Sequence, residues 1–541
     1  MTDLLLIATW AVPLAMLAAC LAPQIRVRMS EWLWLAPLPG FAAAIFAYDA
    51  TPLVADANGL RLTLAVDAIG AVLLGASALL WILAGLYARS YLRDDPRAER
   101  FAEWWLPTLA GSLGVFVAGD LLSFYIAFTL ALAAWGLVVH EETERARRAG
   151  ALYLALAVLG EICLLLSFAL IADAAPGDTI AIRDVVPILV TAPGRHFAIA
   201  LLLIGFGLKA GLVPLHVWLP LAHPAAPMPA SAVLSGAIIK AGIIGLIRFL
   251  PIEPALADWG TALVGIGLVS AFYAIAVGIT QSNPKTVLAY SSVSQMGGIA
   301  TIFGLGLASG GAGAVPGSVF VAVNHVLVKG ACFLAVGVAA KTGRLRSWTV
   351  LLPATLLALS LGGAPATGGA LAKIAAKGSA SNGVVAALVT LSAAGTTLLM
   401  LHFVRRLHAT IDSASSASAP RGLVVPWLAA AIAALTVPWL LAGPFAGVDL
   451  AGAFAPAELW SAAWPTLLGV AGLFALRRFG HALPSVPEGD IVVYLAPAGA
   501  AARTCADALE RAETRLREWP VAGVSLLLLA IALCASVLLG S

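Results

Sequence analysis

Eight ionisable side chains stand inside some of the most apolar stretches of this sequence: Glu161, Lys209, His216, His223, Lys240, His325, Lys329 and Lys373. A lysine at the centre of a bilayer costs roughly 2.5–3.5 kcal/mol on insertion scales, so residues of this kind mark ion or proton paths. A buried lysine changes its proton affinity readily, and a histidine titrates near neutral pH. Together they suit the loading, holding and passing of a proton. His325 and Lys329 are four residues apart and share one helix face. That spacing fits a relay, and also a purely structural hydrogen-bonding pair. Lys240 lies deep within its apolar run, where reaching back to the interface is difficult. Lys341 and Lys377 sit near the ends of such runs and read as interfacial lysines. His216 and His223 match no metal-ligand spacing, and Pro220 interrupts the helix between them. No metal site is expected.

The elements that must position these groups are membrane helices. The chain has 541 residues, 61% of them hydrophobic and only 11% charged. A soluble domain carries about 25% charged residues, and the mean hydropathy here is +0.98. The expected fold is all-α, a polytopic membrane protein of about 14–16 helices. The apolar runs fall at 3–22, 30–48, 66–88, 104–119, 121–140, 149–172, 197–215, 228–249, 259–280, 284–306, 316–340, 350–376, 382–404, 424–442, 460–476 and 521–539. Arginines and lysines concentrate in the odd-numbered connections, such as Arg89 to Arg100, Arg145 to Arg148 and Arg344 with Arg346. The positive-inside rule then places those connections in the cytoplasm and the N-terminus outside, in a multi-pass protein of the inner (cytoplasmic) membrane. Leu17 to Cys20 resembles a lipoprotein cleavage box, but the preceding segment lacks a basic start. An uncleaved first span is expected.

Two spans look broken. Span 7 carries Gly205, Gly207, Gly211 and Pro214; span 12 carries Gly362, Gly363, Pro365, Gly368 and Gly369. Each has a lysine close by, Lys209 and Lys373. Paired interruptions of this kind point to inverted repeats around a mid-membrane site. Spans 4–8 and 9–13 form two sets of five, and an odd count gives consecutive copies opposite topology. The expected division is 1–100 for N-terminal helices, 104–249 and 259–404 for the two five-helix repeats, and 424–541 for C-terminal helices. Within the last part, apolar residues at Cys505, Leu509, Ala512, Leu516 and Trp519 make one stripe. An amphipathic helix on the cytoplasmic surface is expected near 501–519, docked on a neighbouring subunit or resting on lipid.

Several functions are set aside. A net charge of +3 and the lack of a basic run with interleaved aromatics speak against nucleic acid. The five cysteines, Cys20, Cys163, Cys332, Cys505 and Cys534, are scattered, without a paired motif. No haem, zinc or iron–sulfur cofactor is expected, and no Walker-type nucleotide loop is present.

The stretch GLKAGLVPLHVWLPLAHPAAPMPASAVLSGAIIKAGIIGLIRF resembles the antiporter-like, proton-conducting membrane subunits of complex I (NADH:quinone oxidoreductase), membrane-bound hydrogenases and Mrp Na⁺/H⁺ antiporters. The resemblance continues in QSNPKTVLAYSSVSQMG, NHVLVKGACFL and ALSLGGAPATGGALAK, over roughly residues 110–400. It implies a row of mid-membrane groups carrying protons between half-channels. By motif, Lys209 and Lys240 match the family's span 7 and span 8 lysines. His325 and Lys329 match the span 11 pair, Lys373 the span 12 lysine, and His216 with His223 the histidines between spans 7 and 8. The family usually has a span 5 glutamate paired with the span 7 lysine, and the matching position here is Thr129. Glu161, at similar depth on the adjacent span, is the expected counter-ion of Lys209. The alternative is an altered or inactive half-pathway. Asn283 stands where relatives often have an acid.

The expected function is a proton-translocating subunit of a multi-subunit energy-coupling membrane complex of the complex I or hydrogenase kind, with other membrane subunits as partners. An Mrp-type Na⁺/H⁺ antiporter subunit and the proton-flux subunit of an inorganic-carbon uptake system remain open, as does H⁺ against Na⁺. Whether the chain is part of an enzyme depends on those partners, because any driving reaction must come from them.

Overall fold

A chain segment in hydrocarbon must satisfy its own backbone polar groups, and helices do so locally. The computed structural model describes residues 1–57, 60–175, 179–253, 256–377, 383–411 and 417–494, with Arg511. Eleven of the described helices are long and apolar enough to cross a membrane, from Thr2–Ala19 to Pro456–Phe479. The protein is an all-α, polytopic membrane protein. It divides into two compact units, Met1–Glu488 and Gly489–Ser541. The second includes the short helix Asp490–Tyr494. The amphipathic helix expected at 501–519 and the span at 521–539 lie outside the described residues.

Helix starts follow from side-chain caps. Asp67 accepts a hydrogen bond from the Gly70 amide at 2.6 Å ahead of Ala68–Tyr91. Asp120 and Ser123 form a reciprocal capping box at the start of Leu121–Leu130. Thr143 caps Glu144–Ala174, and Asn283 caps Pro284–Ser309. Arg248 does the converse work at a helix end. Its guanidinium donates to the carbonyls of Val115, Phe116 and Ala118 at 2.8–3.0 Å, closing Ala98–Val117.

Proline shapes the second span. Pro37 and Pro39 divide the stretch 30–48 into the helices Met29–Trp32 and Leu38–Phe46. An antiparallel hairpin follows, Leu53–Ala57 with Leu60–Leu64, in which Leu53 opposes Leu64. The LRLTL alternation is the strand signal there, short enough to be read as a connection from sequence alone.

Packing sorts the helices by depth. Met228–Phe249 and Ala314–Ala339 are almost wholly buried and form the centre of the bundle. Helix Glu144–Ala174 is two-faced. Leu154, Val158, Leu159, Ile162, Leu165 and Leu166 point outward as an apolar surface, while Gly160, Glu161, Leu164, Ser167 and Phe168 are buried. Helices Ala257–Gly278 and Pro284–Ser309 approach closely through small residues. A Cβ added at Gly267 or Gly297 would lie within 2.6 Å of the other helix's backbone, the close contact that small residues permit in membranes.

Candidate functional site

Both broken spans end in the same way. Helix Arg195–Ala210 stops at Gly211 with φ +78°, and Ser347–Gly362 stops at Gly363 with φ +76°. In each, the residue after the glycine donates back to the carbonyl five residues earlier: Leu212 to Gly207 at 2.9 Å and Ala364 to Leu359 at 3.0 Å. These closures satisfy end carbonyls while the chain turns away. After each break a second helix begins, Trp218–Ala225 and Gly368–Lys377. The Trp218 indole returns to donate to the Leu208 carbonyl at 2.9 Å. Lys373 does the equivalent at the other break, donating from Nζ to the Gly363 carbonyl at 3.2 Å. The two lysines therefore differ in position: Lys209 precedes its break, and Lys373 follows its own.

Lys209 is buried, with Nζ 4.5 Å from the centre of the Phe128 ring and without a hydrogen-bond partner among the described residues. Thr129 Oγ1 donates to Glu161 Oε2 at 2.7 Å, while Oε1 of Glu161 is unbonded. Glu161 is near Lys209, but the two side chains make no direct hydrogen bond. The adjacent-helix placement read from the sequence is thus seen as a Thr129–Glu161 contact. Toward the Phe249 end of the bundle, Phe124, Phe128, Phe168, Phe206 and Phe249 form one ring cluster, with Phe168 and Phe249 stacked at 4.6 Å. Phe128 of that cluster covers one side of Lys209 Nζ.

Lys240 and His325 are in direct contact. Lys240 Nζ lies 2.8 Å from His325 Nδ1, and both residues are fully buried. A turn of π-helix, Leu234–Ile238, immediately precedes Lys240. The wider turn displaces every later side chain around the axis, which is one way such turns serve functional sites. Ser235, in that turn, bonds Ser292 at 2.7 Å across the interface. Lys329, one turn from His325, points instead at the neighbouring helix and donates to the Leu288 carbonyl at 2.7 Å. The His325–Lys329 spacing thus puts both on one buried face, but each contacts a different helix.

His223 stacks on Phe333 at 4.6 Å, and neither ring nitrogen has a hydrogen-bond partner among the described residues. His216 packs edge-on against Tyr273, 5.2 Å between centroids. These two histidines thus pack against different aromatic rings. Among the described residues, no group of three His, Cys, Asp or Glu is placed to hold a metal ion.

Two buried groups and one partly exposed carboxylate went unread in the sequence. Lys285 donates to the Ala226 carbonyl. Its place beside a helix start made it look like a connection charge. His402 contacts the Gln281 carbonyl at 2.9 Å, and its neighbours Arg405 and Arg406 masked it as part of a basic helix end. Glu458, on helix Pro456–Phe479, pairs with Lys377 at 2.6 Å. No local signal in the sequence links residues so far apart.

Comparison with known proteins bears on the same residues. Residues 118–399, just over half of the chain, match the family described as "NADH:quinone oxidoreductase/Mrp antiporter, TM". Hydrogenase-4 component B of Escherichia coli is 31% identical over 294 residues, 51% of this chain and 43% of that protein. NADH-quinone oxidoreductase subunit M of Pseudomonas aeruginosa is 28% identical over 338 residues, 59% of this chain and 65% of that one. The chain thus spans under two thirds of the length of each of these curated relatives. A chain of the Mrp complex from Dietzia sp. superposes with a TM-score of 0.79 at 21% identity, covering 100% of this chain and 63% of that one, which shows a shared fold. With the matched residues spanning both breaks and the Lys240–His325 contact, the chain belongs to the NADH:quinone oxidoreductase/Mrp antiporter transmembrane family.

Proposed function

We propose that this chain is a proton-translocating subunit of a multi-subunit, energy-coupling membrane complex. The observation that carries this reading is the buried Lys240–His325 contact at 2.8 Å, at the centre of the bundle. Two bases at that distance share protons, and apolar packing around them leaves little else for the pair to do. Around it stand Lys209 with Glu161, His216, His223, Lys329 and Lys373, which we assign to the same path. The relatives support the class: their names are those of hydrogenase and quinone oxidoreductase subunits. Other membrane subunits are the partners, and the driving reaction is theirs.

We further infer that 104–249 and 259–404 are inverted repeats. Support comes from the matched glycine closures at Gly211 and Gly363, one in each set of five spans. The arginine-rich connections favour an inner-membrane protein with its N-terminus outside.

The test is purification in mild detergent, identification of the accompanying chains by mass spectrometry, and proton uptake by the complex in proteoliposomes. Quinone-oxidoreductase or hydrogenase subunits with proton translocation support the proposal. Small Mrp-like subunits alone would make it an antiporter subunit, and a single soluble zinc-site partner would move it to inorganic-carbon uptake. A complex that moves no protons sinks the reading.

A further inference from the structure

A cavity of about 350 Å³ lies among helices Pro284–Ser309, Ala314–Ala339, Gly368–Lys377, Val384–His408 and Pro456–Phe479. Gln295, Asn324, Lys373, Lys377, Thr390 and Glu458 are among its lining residues. It is polar enough and roomy enough for a chain of waters. Asn324 Oδ1 is buried at its wall without a hydrogen-bond partner. Lys373 lines it, held to the Gly363 carbonyl. One helical turn on, the more exposed Lys377 Nζ meets Glu458 Oε1 at 2.6 Å. Glu458 lies in the first turn of its helix, whose last turn carries Arg477 and Arg478. The pair therefore sits on the face opposite the arginine-rich connections.

We propose that the Lys377–Glu458 ion pair closes the outlet of the proton path, and that Glu458 is the group that receives the proton from Lys373 and releases it. This rests on the proton-translocating reading above. Among the described residues, the charged ones lining the cavity are Lys373, Lys377 and Glu458, and the polar groups facing them from the other helices are uncharged. Within that set the step balances. The Lys373 ammonium gives a proton, through water, to the Glu458 carboxylate, leaving an amine and a neutral acid. The neutral acid no longer attracts the Lys377 ammonium, so the mouth opens. Glu458 then gives the proton to water outside, and the carboxylate pairs with Lys377 again. Glu458 lies beyond the family-matched segment 118–399.

The experiment uses the whole complex in proteoliposomes. Thr390→Cys places a thiol on the cavity wall, and a membrane-impermeant maleimide reports access to it. Glu458→Gln, and independently Lys377→Gln, should speed its labelling about two- to fivefold, the population shift expected for an ion pair of this exposure. Glu458→Gln should also slow proton translocation. Equal labelling in the parent and both variants overturns the gate. Faster labelling with unchanged translocation overturns the relay role of Glu458. Labelling does not depend on transport, so a parent complex that moves no protons is recognised separately as failure of the functional reading.

Discussion

Nζ of Lys240 lies 2.8 Å from Nδ1 of His325. At that distance only one proton fits between the two nitrogens: either the lysine donates to a bare Nδ1, or an Nδ1–H donates to an amine. A proton can thus pass directly from one partner to the other. His325→Ala should therefore cut translocation by the complex about tenfold or more, the low end of what a positioned proton-transfer group contributes. Lys240→Met should do the same. The double variant should be no slower than either single one, because the two act as a unit. Initial proton-uptake rates in proteoliposomes measure this, and additive losses would show that the residues work apart.

Thr129 Oγ1 and Glu161 Oε2 are 2.7 Å apart, so a carboxylate moved from one position to the other occupies nearly the same space. Glu161→Gln should slow translocation. Thr129→Glu added to Glu161→Gln should restore much of the rate. A Glu161→Gln complex that translocates normally ends the counter-ion role.

Gly211 and Gly363 both adopt left-handed backbone, which costs an alanine roughly 1–2 kcal/mol. Gly211→Ala and Gly363→Ala should each lower the melting temperature in mild detergent. The second should also impair transport, because its new Cβ meets Cε and Nζ of Lys373, whereas the first meets Leu219. Equal transport in the two variants would remove Lys373 from the path.

Asp95 lies in the connection after Ala68–Tyr91, 2.9 Å from His140 Nε2. Partial burial pushes its carboxyl up, but the His140 hydrogen bond, the Arg97 amide and the nearby charges of His140 and Arg97 hold it below the usual carboxylate range. A lowered folded-state value means stability that is present above the unfolded value and lost as pH falls through the folded one. Asp95→Asn should thus melt lower than the parent at pH 6. The gap should shrink as pH falls below about 4, the ordinary aspartate value. A gap that stays constant to pH 3 would show that the contact is not charge-dependent.

Much of the fold and the buried positions of several candidate site residues were legible in the sequence because membrane solvent is a strict constraint. Apolar length demanded helices, glycine and proline marked both breaks, and the insertion cost of a lysine made Lys209, Lys240, Lys329 and Lys373 conspicuous one at a time. Thr129 and Glu161 could be matched because adjacent antiparallel helices convert sequence position into depth. What one dimension does not carry is direction. Lys329 turns to Leu288 rather than to His325, four residues away, because helix packing and not spacing decides which neighbour a side chain meets. Lys240 reaches His325, 85 positions along, after a π turn that leaves no clear mark in the sequence. Lys377 and Glu458 each look like an ordinary charge near a helix end. Only the tertiary structure brings them 2.6 Å apart on the wall of one cavity, because helix packing and not sequence distance decides which charges meet.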